Sequence, residues 1–186
     1  MYLALSVSKP VIPMSEEGQR VLAYAISQHG HKVKVRRSDG LCWALAEAAL
    51  EAANAQTSTE IHGAKLRDTV DYRWGTEIEL GQVRPGDIIQ FLKGYGFVEQ
   101  TTRALDGAQW DSGIVGPIRS HHTAIVEKFM VPGVAFQVLH QHWGGRKKVE
   151  RMVFYFKKYS YTDTVGNTVS VRVNGKAKFY RPRRKP

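Results

Sequence analysis

Apolar positions fall into two regimes along the chain. Up to about residue 55 they recur at three- and four-residue intervals, and beyond about residue 85 they come in short runs. Val21, Leu22, Ala25 and Ile26 mark a first helix. Ser15 is a suitable N-cap ahead of it, and Glu16 and Glu17 sit where the helix dipole favours negative charge. Gly30 ends that pattern. A second helix is predicted from about Cys42 to Asn54, a segment rich in Ala, Leu and Glu and free of Gly, Pro and β-branched residues. Leu45, Ala49 and Leu50, with Ala46 and Ala53, form its buried stripe. Between the helices Arg36 to Gly40 reads as a turn, and Gln56 to Gly63 reads as a loop.

The second regime is a series of strands. Ile88 to Phe91 follows the Pro85-Gly86-Asp87 turn, Thr123 to Met130 is β-branched and apolar, and Val134 to His142 starts after Pro132-Gly133. Val149 to Tyr155, Val169 to Val173 and Ala177 to Tyr180 complete the set, with Asn174-Gly175 as a hairpin turn between the last two. Tyr95 to Arg119, rich in Gly and polar residues, reads as a long connection or a hairpin rimming a site. Helices followed by strands predict an α+β fold, with N-terminal helices packed on a mainly antiparallel sheet.

Composition narrows the class. A chain of 186 residues, 42% hydrophobic and 24% charged, suits one globular domain. No apolar run is long enough to span a membrane. Met1 to Pro13 makes a poor signal peptide, being interrupted by Lys9, Pro10 and Pro13, and the compartment stays open. The lone cysteine rules out an intrachain disulfide and a zinc site of paired cysteines. The net charge of +10 is concentrated late: Gly144 to Pro186 carries thirteen Lys and Arg against Glu150 and Asp163. That quarter predicts weak, salt-sensitive attraction to polyanions, or else a solvated strand face and a frayed end.

Candidate chemistry starts at Cys42, which opens the second helix directly after Gly40-Leu41. Unpaired N–H groups and the positive dipole end favour a thiolate there. A nucleophilic thiolate needs a base, and His121 and His122 precede a strand that can face the helix. Strand side chains alternate, so only one of the two points to the helix side. A base needs an orienter, and His140 and His142, two apart on the next strand, share a face from which either can serve. The blander alternative makes them exposed strand-end histidines. A histidine-only metal site of His122, His140 and His142 lacks any supporting helical motif, so neither metal nor cofactor is expected.

At these residues the chain resembles a known superfamily. Gly40-Leu41-Cys42-Trp43-Ala44-Leu45-Ala46 resembles the nucleophile helix of the CHAP and NlpC-type amidohydrolase-peptidases. Arg84 to Phe91 resembles their "PGD" strand entry, His122 to Val126 their catalytic-histidine strand, and Val138 to Gly145 the CHAP "E-Q-N-x-x-G" strand. Tyr72-Arg73-Trp74-Gly75 and Phe179-Tyr180-Arg181-Pro182 resemble a smaller branch. That branch holds the cysteine-protease-like domain of fungal actin-patch adaptor proteins and bacterial single-domain relatives.

The resemblance implies a papain-like fold over residues 15–182, with 1–14 as an extension and 183–186 as a basic tail. It implies Cys42 as nucleophile and His122 as base; the CHAP orienting Glu and Asn fall on His140 and His142. Trp43, Trp74, Trp143 and Gln141 are the expected substrate contacts, with Trp110 a further groove candidate. The implied activity is cysteine-dependent hydrolysis of a peptide or peptidoglycan-type amide. The alternative is an inactive papain-fold binding module, with residues 144–186 as a polyanion-attracting surface.

Overall fold

A computed structural model describes residues 13–35, 40–63, 71–116, 118 and 121–186. The stretch before Pro13 and the turn at Arg36 to Asp39 lie outside them. Helix α1 (Glu16–Ser27) starts as its sequence predicts, with the Ser15 hydroxyl accepting from the Gly18 N–H at 3.0 Å. Helix α2 (Cys42–Ala52) has Leu41 as its N-cap and no side-chain cap.

A third helix, α3 (Ser58–His62), occupies the segment read as a loop. A capping box forms it: Thr57 accepts from the Glu60 N–H, and Glu60 reaches back to the Thr57 N–H. Buried Glu47 of α2 also accepts from the N–H groups of Ser58 and Thr59, at 3.0 and 3.1 Å. Its carboxylate thus meets two unpaired donors at a positive helix end.

Ten strands follow: β1 (Thr76–Ile78), β2 (Ile88–Phe91), β3 (Gly96–Thr102), β4 (Gln109–Val115), β5 (His122–Val131), β6 (Ala135–Trp143), β7 (Arg146–Tyr155), β8 (Tyr159–Thr162), β9 (Thr168–Asn174) and β10 (Ala177–Arg181). They build an antiparallel six-stranded sheet, β1-β10-β2-β5-β6-β7, and an antiparallel four-stranded one, β4-β3-β9-β8. The Tyr95 to Arg119 connection is therefore mostly the β3–β4 hairpin of the second sheet.

The six-stranded sheet is covered on both faces, so its strands read as apolar runs rather than alternating ones. Ile88, Ile125, Leu139 and Val149 meet Leu45, Ala46, Ala49 and Leu50 of α2 and Val21 and Ala25 of α1. Ile89, Phe91, Ala124, Val126, Val138 and Phe154 point the other way and meet Phe97, Val115 and Val171 of the second sheet. Alternation along β2, from His122 to Val126 of β5 and from Val138 to Gln141 of β6 is what separates these two cores.

Two contacts lock the entry to β2. Gly86, at φ +85°, lies so close to α1 that a Cβ would fall 2.1 Å from the Gly18 carbonyl oxygen. Asp87 is buried, accepts from the Arg84 N–H at 2.7 Å, and pairs with Arg181 of β10 at 3.0 Å. Replacing Arg181 with Ala strands that carboxylate. Urea unfolding of Arg181→Ala should show a loss of about 3 kcal/mol.

Candidate active site

Cys42 is the first helical residue of α2, where the sequence places it. The sulfur lies 3.9 Å from the backbone carbonyl of His121 at the start of β5. Burial pushes the Cys42 thiol above its ordinary value. The N–H groups of Thr123, Trp43 and Cys42 itself oppose this and do not outweigh it. The residue as a whole is half-buried; the shift belongs to the sulfur, turned inward against β5. The direction runs against the expected thiolate, because desolvation exceeds the gain from the helix end.

The backbone at Val33 and Leu41, ahead of α2, is held by Gln141 of β6. Its Oε1 accepts from the Val33 N–H at 2.7 Å, and its Nε2 donates to the carbonyls of Val33 at 3.0 Å and Leu41 at 3.1 Å. The side chain is fully buried. Gln141, expected as a substrate contact, gives its whole amide to backbone and so sets where α2 begins.

His122 and His140 do meet: Nε2 of His122 lies 3.2 Å from Nδ1 of His140, a neutral pair in which one ring donates and the other accepts. Both are buried. Their register, Phe91 opposite His122 and Ala124 opposite His140, puts them on the face shared with Ala124, Val126 and Val138. That face looks towards the second sheet, whereas α2 covers the opposite one. His122 packs on Phe91 at 5.9 Å and Trp143 at 5.0 Å, and His140 packs on Phe154 at 5.8 Å. Burial holds the His122 imidazole well below its ordinary pKa, aided by His140 and His142, and brings His140 down to about 4, aided by Arg146. In the phase of β5 it is His121, not His122, that falls in line with helix-facing Thr123 and Ile125.

His142 does not share the face of His140. It has φ 64° and lies at a bulge between Gln141 and Trp143. The extra residue returns Trp143 to the side of the imidazole pair, with ring centres 5.7 Å from His140. Trp74 is fully buried and donates from Nε1 to Gln90 at 2.9 Å, so it is core rather than groove wall. Trp43, next to Cys42, stacks on Tyr72 at 5.9 Å, and Tyr72 leans on Trp74 at 5.4 Å. Trp110 is exposed, with the Arg103 guanidinium 5.8 Å from its ring centre. The faces of His121 and His122 are fixed by the pairing of β5 with β6 and with β2, which lies far away in sequence.

Five of the thirteen basic side chains of the last quarter form ion pairs among the described residues. Arg146, Arg151, Lys178, Arg181 and Lys185 pair with Glu150, Glu127, Asp71, Asp87 and Glu60. The end of the chain is docked rather than frayed, with the Arg183 carbonyl accepting from the Gln56 N–H at 2.8 Å and Arg184 bridging to Ala55. Among the described residues no group of three or more His, Cys, Asp and Glu is arranged to hold a metal ion, and no helix is long and apolar enough to cross a membrane.

An antiparallel sheet covered by helices on one face and by a second antiparallel sheet on the other, with a cysteine at the head of the helix that packs on the central strands, defines a cysteine-proteinase-fold domain of the α+β class. The family model described as the AIM3/BBC1 cysteine proteinase-fold domain matches residues 14–160, and the chain belongs to that family. No curated protein matches the chain significantly.

Two outcomes follow from this geometry. Gln141→Leu removes three hydrogen bonds and leaves the Val33 N–H buried without a partner. It should lower stability by about 3 kcal/mol in urea unfolding. The imidazole pair makes stability acid-sensitive. An unfolded histidine takes up its proton near pH 6.5, whereas the folded pair resists it. The full stability is therefore present above pH 6.5 and is lost progressively as pH falls towards about 4, the folded value of His140. Melting curves across that range should fall steadily, and a flat profile would contradict a buried neutral pair.

Proposed function

We propose that this chain is a recognition module built on a cysteine-proteinase scaffold, holding a partner rather than cutting it. The observation that carries the reading is the separation of the two halves of the expected machinery. The thiol lies at the helix-covered face and faces a carbonyl. The imidazole pair faces the second sheet and is engaged with itself among aromatic rings. Burial also pushes the thiol up and the imidazole down, and both directions oppose the ion pair that activates a cysteine nucleophile.

A hydrolase reading is favoured by one specific feature. Cys42 heads α2 beside the backbone of His121, and His121 is in phase with the helix-facing residues of β5. In that reading Cys42 attacks a peptide or peptidoglycan-type amide carbonyl, with the Cys42 N–H as an oxyanion donor and His121 as base. His122, backed by His140 or His142, serves as base only if its ring leaves the aromatic layer.

Iodoacetamide alkylation at pH 6, followed by mass spectrometry, separates the two. The module reading expects Cys42 to react no faster than free cysteine, with no change in His121→Ala or His122→Ala. A rate about tenfold above free cysteine, abolished by either substitution, would establish an activated thiolate and the hydrolase reading instead.

A further inference from the structure

A cavity of about 600 Å³ lies on the inner face of the four-stranded sheet, away from Cys42. Its walls are apolar and aromatic, including Phe97, Met130, Met152, Tyr155, Tyr159 and Tyr161. One acidic residue, Glu99 of β3, is part of the lining. Register explains its place. Gly113, Glu99, Val171 and Tyr159 form one cross-strand row, so the Glu99 carboxylate stands in line with residues that face the other sheet. Gly113 makes room for it, since a Cβ there would lie 2.4 Å from Glu99 Oε2.

Glu99 is half-buried, and a carboxylate partly withdrawn from water in an apolar wall favours a cation beside it. Among the described residues no Lys or Arg pairs with Glu99. Its neighbours are phenols: burial raises both Tyr155 and Tyr161, as does the Glu99 carboxylate, which is hydrogen-bonded to Tyr155, a neutral donor that leaves the charge unmatched. Tyr159 and Tyr161 stack at 5.7 Å and offer a continuous π face. The cavity is bordered by β7 and β8, the outer strands of their respective sheets, and Ser160, Tyr161 and Thr162 of β8 are exposed. An outer strand is a template for an added extended chain.

We propose that this cavity receives an arginine side chain from an extended peptide of a partner protein, with Glu99 as its counter-ion. A guanidinium is planar, stacks on tyrosine faces, forks onto a carboxylate and carries an apolar stem suited to Met130 and Met152. Lysine offers the charge without the plane or the fork. The assignment gives the recognition module its ligand class, and it concerns residues remote from the thiol.

The test is calorimetric titration of acetyl-Val-Arg-Val-amide and its citrulline analogue, which has the same shape and no charge. The arginine peptide should bind at least about tenfold tighter, and Glu99→Gln, checked for an unchanged melting curve, should abolish that preference. Cys42→Ala should leave it intact. Equal affinity for the two peptides, a preference that survives Glu99→Gln, or no binding of either peptide would overturn the proposal. Hydrolysis of the bound peptide that Cys42→Ala abolishes would instead overturn the module reading, leaving the arginine pocket in place.

Discussion

The architecture of the thiol site depends on one buried amide. Gln141 links the central strand β6 to the backbone at Val33 and at Leu41, the residue that precedes α2. With no side-chain cap at Leu41, the start of α2 is positioned by the sheet rather than by its own local sequence. The Cys42 sulfur is carried to the His121 carbonyl of β5 by a helix whose start that link holds. An amide suits the task because it carries both a carbonyl oxygen and two N–H donors, and here both ends are used.

Face alternation explains most of what remains. Along β5 and β6 each residue commits to one of two cores, and a shift of one position exchanges them. The bulge at His142 shows how local this choice is: one inserted residue moves Trp143 from the helix side to the aromatic side. The paired imidazoles then behave as part of the interlayer packing. Their mutual hydrogen bond meets one polar requirement of each ring where water is excluded, which lets two histidines take places otherwise filled by hydrocarbon.

Much of this was legible in the order of residues. The α+β class, the starts of α1 and α2, the Pro85-Gly86-Asp87 entry to β2 and the central strands followed from periodicity and turn residues. The α3 helix was missed, although Thr57 and Glu60 carry a capping-box spacing, because five residues are too few to show a period. The second sheet was hidden because β3 and β4 are rich in Gly and polar residues and read as a connection. The contact between His122 and His140 agreed with the expected spacing, but their common face could not be assigned to the helix side without register. The ionisation of Cys42 depends on desolvation by the strand it packs against, a long-range effect that composition around the cysteine does not carry.

The position of β10 has a consequence for how the protein is made. It is inserted between β1 and β2, and Arg181 at its end neutralises Asp87 at the entry to β2. A nascent chain thus carries β1 and β2 with a vacancy between them until β10 has been synthesised. Intermediates with an open sheet edge are exposed to faulty pairing, so the wait for β10 is a point at which chaperones can act.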